Sequence, residues 1–497
     1  MTGPFMLLKL KVCRFWGIVA LIISSLINFA CSSPSPSFKG LEPEFLIDAY
    51  EKYQEPDITK RRIKPSLVKK LIQKRKEVFK MEELGKSVGN RSIYQLSYGE
   101  GPTKVLLWSQ MHGDESTATM ALFDLFNFLE GSGDEFLVIR KSLKENLQLH
   151  FIPMLNPDGA AVFQRRNILG IDLNRDALRL ASPEAMILKK ARDELEPDFG
   201  FNLHDQSNYY NVKGTANPAT ISVLAPAFNA EKGVNEIRAN AMKVIVGIKR
   251  LMQETLPDHL GKYDDTFEPR AFGDNFQKWG TSTILIESGA YPNDPEKQHV
   301  RQLNFMILLN ALYEIAQGTY KNYAVENYFR IPDNEEQLLD LLIKNLTVHR
   351  EGHGYQVDLG IKREEISFGD DFLFSGTLED IGDLSVFYGY KEMDASGMKW
   401  VSGKIHNKIF NSTREISQVT ALELLKDGYL AVRVKNISEN QNHSLPLRIL
   451  KENENFPQFP TKDGPAHFFL EKDGELCFAV VNGFLIDLKQ SEVKKIK

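Results

Sequence analysis

Between residues 46 and 325 the chain alternates short apolar runs with long amphipathic segments, and this constrains the fold more than any other feature. "VLLWSQ" (105–110), "LQLHFIPML" (147–155), "FGFNLHD" (199–205) and "STILIESGA" (282–290) are each the length of a buried strand. The chain between them is long enough for crossover helices, which parallel strands require. The pattern predicts an α/β unit over 46–325 with a doubly wound, mixed, mostly parallel sheet.

After residue 350 the texture changes. "DDFLFSGTL" (370–378), "LSVFYGY" (384–390) and "YLAVRVKN" (429–436) are short strand-like runs, and "KDGE" (472–475) marks a hairpin turn. These predict a smaller C-terminal β-rich domain over 350–497. "NEEQLLDLLIKNL" (334–346) has apolar residues at helical spacing, giving a helical connector over 326–349. "HREGH" (349–353) places two histidines four apart, but Gly352 weakens a helix and no third ligand is near, so it reads as solvated chain. With 497 residues the chain exceeds one ordinary core. Its net charge of −5 argues against a broad nucleic-acid surface, and no nucleic-acid partner is expected.

Residues 1–30 read as a secretory signal: Lys9, Lys11 and Arg14 are followed by an apolar stretch and then by "NFACSSPSPS" (28–37). The small residue Ala30, Cys31 and a Ser/Pro tether over 31–45 resemble a bacterial lipoprotein lipobox, with Asn28 where an aliphatic residue is usual. The resemblance implies lipidation of Cys31 and a protein held to a bacterial cell-envelope membrane by its lipid, on the periplasmic or surface side. Cys13 falls in the signal, so the mature chain keeps only Cys31 and Cys477 and is expected to form no internal disulfide.

The candidate chemistry sits at strand ends. His112 and Glu115 follow the first apolar run, three residues apart. An imidazole nitrogen and a carboxylate oxygen so spaced can turn toward one point, and catalytic zinc takes three such protein ligands plus water. A lone H-x-x-E is weak evidence. His204 and Glu287, however, close two other predicted strands, and strand C-termini of a doubly wound sheet converge on one crevice. Four ionisable groups on one rim are hard to explain as packing.

Segment 154–176, "MLNPDGAAVFQRRNILGIDLNRD", makes the reading specific. With His112–Glu115, N-P-D-G at 156–159, R-x-N-x-x-G-x-D-x-N-R at 165–175, His204 and Glu287, the chain resembles zinc carboxypeptidases of the carboxypeptidase A family over about 80–310. The resemblance implies one zinc per chain, Zn2+ on His112, Glu115 and His204. It also implies Glu287 as general acid/base and Arg165, or its neighbour Arg166, as the oxyanion-stabilising arginine. Asn174 and Arg175 match the pair that grips a substrate's terminal carboxylate, which a planar guanidinium suits. The family's mobile tyrosine has no clear counterpart; Tyr263 lies at a plausible distance upstream of Glu287.

Two departures bear on substrate. The family's "NRN" is "NRD" here, placing Asp176 where it could orient Arg175 or attract an amine, and Asp205–Gln206 follow the metal histidine where serine is commoner. The expected activity is zinc-dependent hydrolysis of a peptide or amide bond beside a free carboxylate. The alternatives are a deacylase of N-acyl amino acids, a cell-wall stem-peptide amidase or endopeptidase, and a non-catalytic envelope binding protein. The sequence sets neither the preferred side chain nor the oligomeric state.

Overall fold

Four apolar runs become adjacent strands because each offers a fully buried ladder. β1 (Lys80–Lys86), β2 (Ser92–Tyr98), β3 (Thr103–Ser109), β4 (Leu147–Ile152) and β5 (Phe199–Asp205) are followed by β6 (Tyr210–Val212), β7 (Ile221–Leu224), β8 (Leu260–Lys262) and β9 (Ser282–Ser288). In this computed structural model, which describes residues 40–437, 444–454 and 459–489 together with Met1, eight of these strands form one sheet in the order β1-β2-β4-β3-β5-β9-β7-β8. The centre, β4-β3-β5-β9, is parallel, while β1, β2 and β7 join antiparallel.

Alternate side chains feed two layers, as the strand period demands. Val105 and Leu107 pack under the helices Thr117–Glu130, Glu236–Thr255 and Gln298–Gln317, while Leu106 and Trp108 pack on the other face against Leu188, Phe272 and Phe276. Both faces are therefore covered, and the α/β expectation holds. Two of the long helices begin at capping side chains. Ser182 accepts from Ala185 N ahead of Pro183, and Asn235 accepts from Arg238 N.

The α/β unit starts earlier than the tether reading placed it. Leu41 is buried, its N–H bonds Asn310 Oδ1, and a helix begins at Pro43, so residues 41–45 are folded chain. The signal reading of 1–30 and Cys31 lie outside the described residues, Met1 aside.

The connector is the clearest correction. The stretch expected to be helical is β10 (Asn334–Glu336) and β11 (Leu338–Arg350). β11 pairs with β12 (His353–Phe368), itself hairpinned to β13 (Asp371–Gly382), and β14 (Tyr388–Asp394) lies parallel to its first half. Neighbours on both edges and apolar cover on both faces bury successive leucines. A strand so enclosed loses its two-residue alternation and reads as a helix. "HREGH" is the exposed tip of the β11–β12 hairpin, with Glu351 and Gly352 at φ 53° and 81°.

The remaining strands are β15 (Lys399–Val401), β16 (Lys404–Ser412), β17 (Tyr429–Asn436), β18 (Arg448–Leu450), β19 (Phe468–Lys472), β20 (Glu475–Val481) and β21 (Phe484–Asp487). They complete a second sheet, β13-β12-β11-β15-β19-β20-β21, and a small parallel one, β16-β17-β18. The "KDGE" hairpin joins β19 to β20. β10 pairs with β6, so the β-rich region is sewn to the α/β unit near the strand ends that carry the candidate site.

Candidate metal and active site

The site is built where β3, β5 and β9 end. β5 and β9 run in register with His204 opposite Glu287, which sets the two side by side on the rim. The loop after β3 brings His112 and Glu115 to the same point. Its course depends on Gly113, where a Cβ would lie 2.1 Å from the backbone of Gly159, so only glycine lets the two loops approach. Gly159 belongs to the N-P-D-G turn. Asn156 caps the short helix Pro157–Val162 by accepting from Gly159 N at 2.9 Å and donates to Arg165 O at 3.3 Å, so the turn also places Arg165.

His112, Glu115 and His204 converge. Glu115 Oε1 lies 2.8 Å from His112 Nδ1, Glu115 Oε2 lies 2.7 Å from His204 Nδ1, and the two Nδ1 atoms are 3.2 Å apart. All three residues are buried. Two ring nitrogens that face each other across a carboxylate form a group that could hold a metal ion, with the N, N, O donors zinc accepts. Their separation is near the edge of a tetrahedron of ligands about 2.0–2.1 Å from zinc. The residues present fit the ion. The far side of His112 is fixed as such ligands usually are, Nε2 meeting Asp172 Oδ1 at 3.0 Å.

Electrostatics follow from this crowding. Burial opposes ionisation of Glu115, but the two imidazoles hold its carboxyl well below the ordinary range. His112 is pushed up to about 9, the Glu115 carboxylate and the bond to Asp172 outweighing burial. His204, buried and beside His112, is pushed down. Burial, reinforced by the Glu115 charge, drives Glu287 well above the usual carboxylate range. The Glu287 carboxyl accepts no protein hydrogen bond among the described residues. It is therefore free to exchange a proton with something in the cavity.

That cavity, about 520 Å³, is lined by all eight residues expected at the site within the described chain: His112, Glu115, Arg165, Asn174, Arg175, His204, Tyr263 and Glu287. Arg165 sits at its edge, 3.1 Å from both Glu115 Oε1 and Asp172 Oδ2, while Arg166 points to Gly170 O and does not line it. Asn174 Oδ1 accepts from Phe272 N at 2.9 Å, and among the described residues its NH2 group meets no protein acceptor. Arg175 touches Glu268 Oε2 at 3.3 Å through Nε and Asn174 O at 2.8 Å through Nη1. Glu268 is also forked by Arg270, so Arg175 is incompletely neutralised.

Asp176 does neither thing expected of it. Its oxygens take Ala181 N, Ser182 N and Ser182 Oγ at 2.8–2.9 Å, because the short turn Leu173–Arg175 rotates it into the fold and away from Arg175. Of the acids in 261–276, Asp264, Glu268 and Asp274 line the cavity, and Asp265 is drawn off to Lys232 and Arg238. Reading the sequence missed the roles of Asp172, Gln206 and Tyr210. Asp172 was visible as the acid within the 165–175 motif. Gln206, in the loop after β5, and Tyr210, the first residue of β6, owe their placement to β10, a stretch whose sequence reads as helix.

Residues 66–206 match the family model described as zinc carboxypeptidase, peptidase M14. That segment contains His112, Glu115, the N-P-D-G turn, the 165–175 motif and His204, and ends before Tyr263 and Glu287. An uncharacterised Zymomonas mobilis protein is 32% identical over 127 residues, covering 25% of this chain and 33% of that one. Carboxypeptidase SOL1 of Arabidopsis thaliana is 28% identical over 154 residues, covering 30% of this chain and 28% of its own length. The chain thus spans about a third of the curated relatives it matches. Among solved structures, a metallo-carboxypeptidase from Burkholderia cenocepacia aligns over 50% of this chain and 68% of its own, at 20% identity and a TM-score of 0.40. The family-model match shows that residues 66–206 of this chain are similar to the zinc carboxypeptidase family.

Proposed function

We propose that the protein is a zinc metallocarboxypeptidase that hydrolyses a peptide bond next to a free C-terminal carboxylate. One observation carries this reading. A single cavity holds the His112–Glu115–His204 donor set, an unbonded buried carboxyl on Glu287, and the Asn174–Arg175 pair. His112, Glu115 and His204 would hold zinc, which supplies a Lewis acid and a water of lowered pKa.

The chain's own groups divide the remaining work. Arg175 and the NH2 of Asn174 bind the terminal carboxylate and so orient the scissile bond. Arg165, held by Glu115 and Asp172, directs positive charge to the edge where the carbonyl oxygen gains charge. Glu287 accepts the proton of the attacking water at its carboxylate and returns it to the leaving amine. Apolar walls at Leu224, Pro226 and Leu285 exclude water from the terminal residue.

The test pairs a substitution with a substrate change. Glu287→Gln is expected to keep its zinc and lose about 100- to 10,000-fold in kcat. A C-terminally amidated substrate is expected to lose at least about 10-fold in kcat/KM relative to the free acid. Equal rates on acid and amide would remove the exopeptidase reading and leave an amidase. We further propose that lipid on Cys31 tethers the protein to the bacterial envelope, supported by the basic, apolar and Ala-Cys order of residues 9–31. Acyl labelling that persists in Cys31→Ala would overturn this.

A further inference from the structure

Residues 332–340 run behind the cavity and hold two of its walls at once. On one side β10 pairs with β6, placing Glu336 opposite Tyr210, and Leu338 N donates to Tyr209 O at 3.1 Å. Asn334 Nδ2 donates to Gln206 Oε1 at 3.0 Å, so a side chain bordering the cavity is oriented from behind. On the other side Lys262 N donates to Pro332 O at 2.7 Å and Lys262 Nζ pairs with Asp333 at 2.9 Å, immediately before Tyr263. The Tyr210 and Tyr263 rings meet edge to face, centroids 5.9 Å apart.

The β-rich region then anchors this seam. Tyr209 O–H donates to Asp340 Oδ2 at 2.6 Å and accepts from Arg363 N at 3.0 Å, and Arg363 Nη2 donates to Asp340 Oδ1 at 2.6 Å. Tyr390 O–H donates to Asn208 O at 2.6 Å. The Lys362 ammonium lies 4.7 Å above the Tyr209 ring. Yet no residue beyond 330 lines the cavity among the described residues. At segments 206–212 and 262–263 the region meets the backs of the loops whose fronts face the cavity, and it holds the α/β unit separately through Arg61 and Arg62, which pair with Glu365.

We propose that the C-terminal β-rich region is a positioning element for the cavity. Through Tyr209–Asp340–Arg363 and Tyr390 it fixes segments 206–212 and 262–263, and with them the fit of the substrate's terminal residue. The peptidase reading above supplies what those walls grip; the bracing itself stands on the contacts alone. A loop ordered before substrate arrives spends none of the binding free energy on ordering, so the brace acts on KM more than on the chemical step. Tyr209 and Tyr390 are positioning residues, since neither lines the cavity.

The experiment removes the two hydroxyls isosterically, in Tyr209→Phe, Tyr390→Phe and the double variant. The Tyr209 bond to the charged Asp340, joined by the Tyr390 bond to a neutral carbonyl, sets the scale. In the double variant KM for a blocked dipeptide is expected to rise at least about 10-fold, with kcat changed less than about 3-fold and zinc content unchanged. Amides in 206–212 and 260–264 are expected to exchange about 10-fold faster. Leu430→Ala, in the core on β17, is the control: it should lower Tm while leaving KM and those amides alone. Unchanged KM and exchange in the double variant, or an equal KM rise in Leu430→Ala, would overturn the proposal. If the unmodified protein turns over no peptide, the peptidase reading fails on its own and amide exchange decides the bracing.

Discussion

The α/β unit buries Arg238, Arg301, Asp124 and Glu314 among its helices and His112, Glu115, His204 and Glu287 along one rim. Beyond residue 330, the polar side chains buried among the described residues are Thr413, His467 and Asn482. Even within the α/β unit the buried charges differ. Arg301 forks Asp124 at 2.6 and 2.7 Å and caps the carbonyls of Glu55 and Ile58, so its donors are satisfied by the protein. On the rim, two imidazoles crowd one carboxylate, and Glu287 has no hydrogen-bond partner among the described residues. Charges that the protein neutralises itself hold layers together, and charges it leaves for another molecule do chemistry. The β-rich region, packed around small apolar clusters, buries few such charges, and its Asp340–Arg363 pair at the seam is only partly buried.

The largest expected effect separates the two regions outright. His204→Ala should lose zinc and turnover together, measured by metal content and dipeptide hydrolysis, because it removes a ligand from a set of three. Leu430→Ala should cost about 2–5 kcal/mol of stability and keep full metal content. Equal zinc loss in both variants would break the contrast. A smaller effect sharpens it within the rim. Asp172→Asn leaves His112 a weaker acceptor at 3.0 Å and should lower zinc affinity about 10- to 100-fold in a chelator competition. The smallest concerns acid. His150, buried on β4 beside Gln95 and Ser97, has its pKa pushed down to about 4, chiefly by burial and then by Lys104. A depressed histidine binds its proton more readily in the unfolded chain, so its stabilising neutral state is intact above about pH 6.5 and lost as pH falls toward about 4. In metal-free protein, His150→Gln should flatten the fall of Tm over that window by about 2 °C, and an unchanged slope would place the acid sensitivity elsewhere.

What could be read in the sequence depended on whether the signal was local. The H-x-x-E pair, the N-P-D-G turn and the 165–175 motif carry their chemistry within a few residues, and the structure brings His112, Glu115, Arg165, Asn174 and Arg175 into one cavity with His204 and Glu287. The fully buried strands were legible because apolar runs of that length between crossovers have few other uses. β11 was not, because its leucines are buried on both faces and a register shift between Ile343 and Leu346, with Asn345 at φ 59°, breaks what alternation remains. Asp176 was misread for a related reason. Sequence adjacency to Arg175 says nothing about which way a tight turn sends the next side chain.

The in-register pair His204 and Glu287 has a consequence for how such a site can change over time. On a ladder with a two-residue period, displacing either strand by one position would send one of these side chains to the opposite face. The same displacement would also turn the apolar residues of β5 and β9 into the wrong layers, Phe201 and Leu203 on one strand and Ile284 and Ile286 on the other. Tolerance of mutation in these strands is therefore a matter of parity. Volume-conserving exchanges within a layer leave the spacing of His204 and Glu287 intact, whereas a single inserted residue between 199 and 204 would part them. The apolar pattern of the sheet thus works as an error check on the distance between two polar groups that lie outside it.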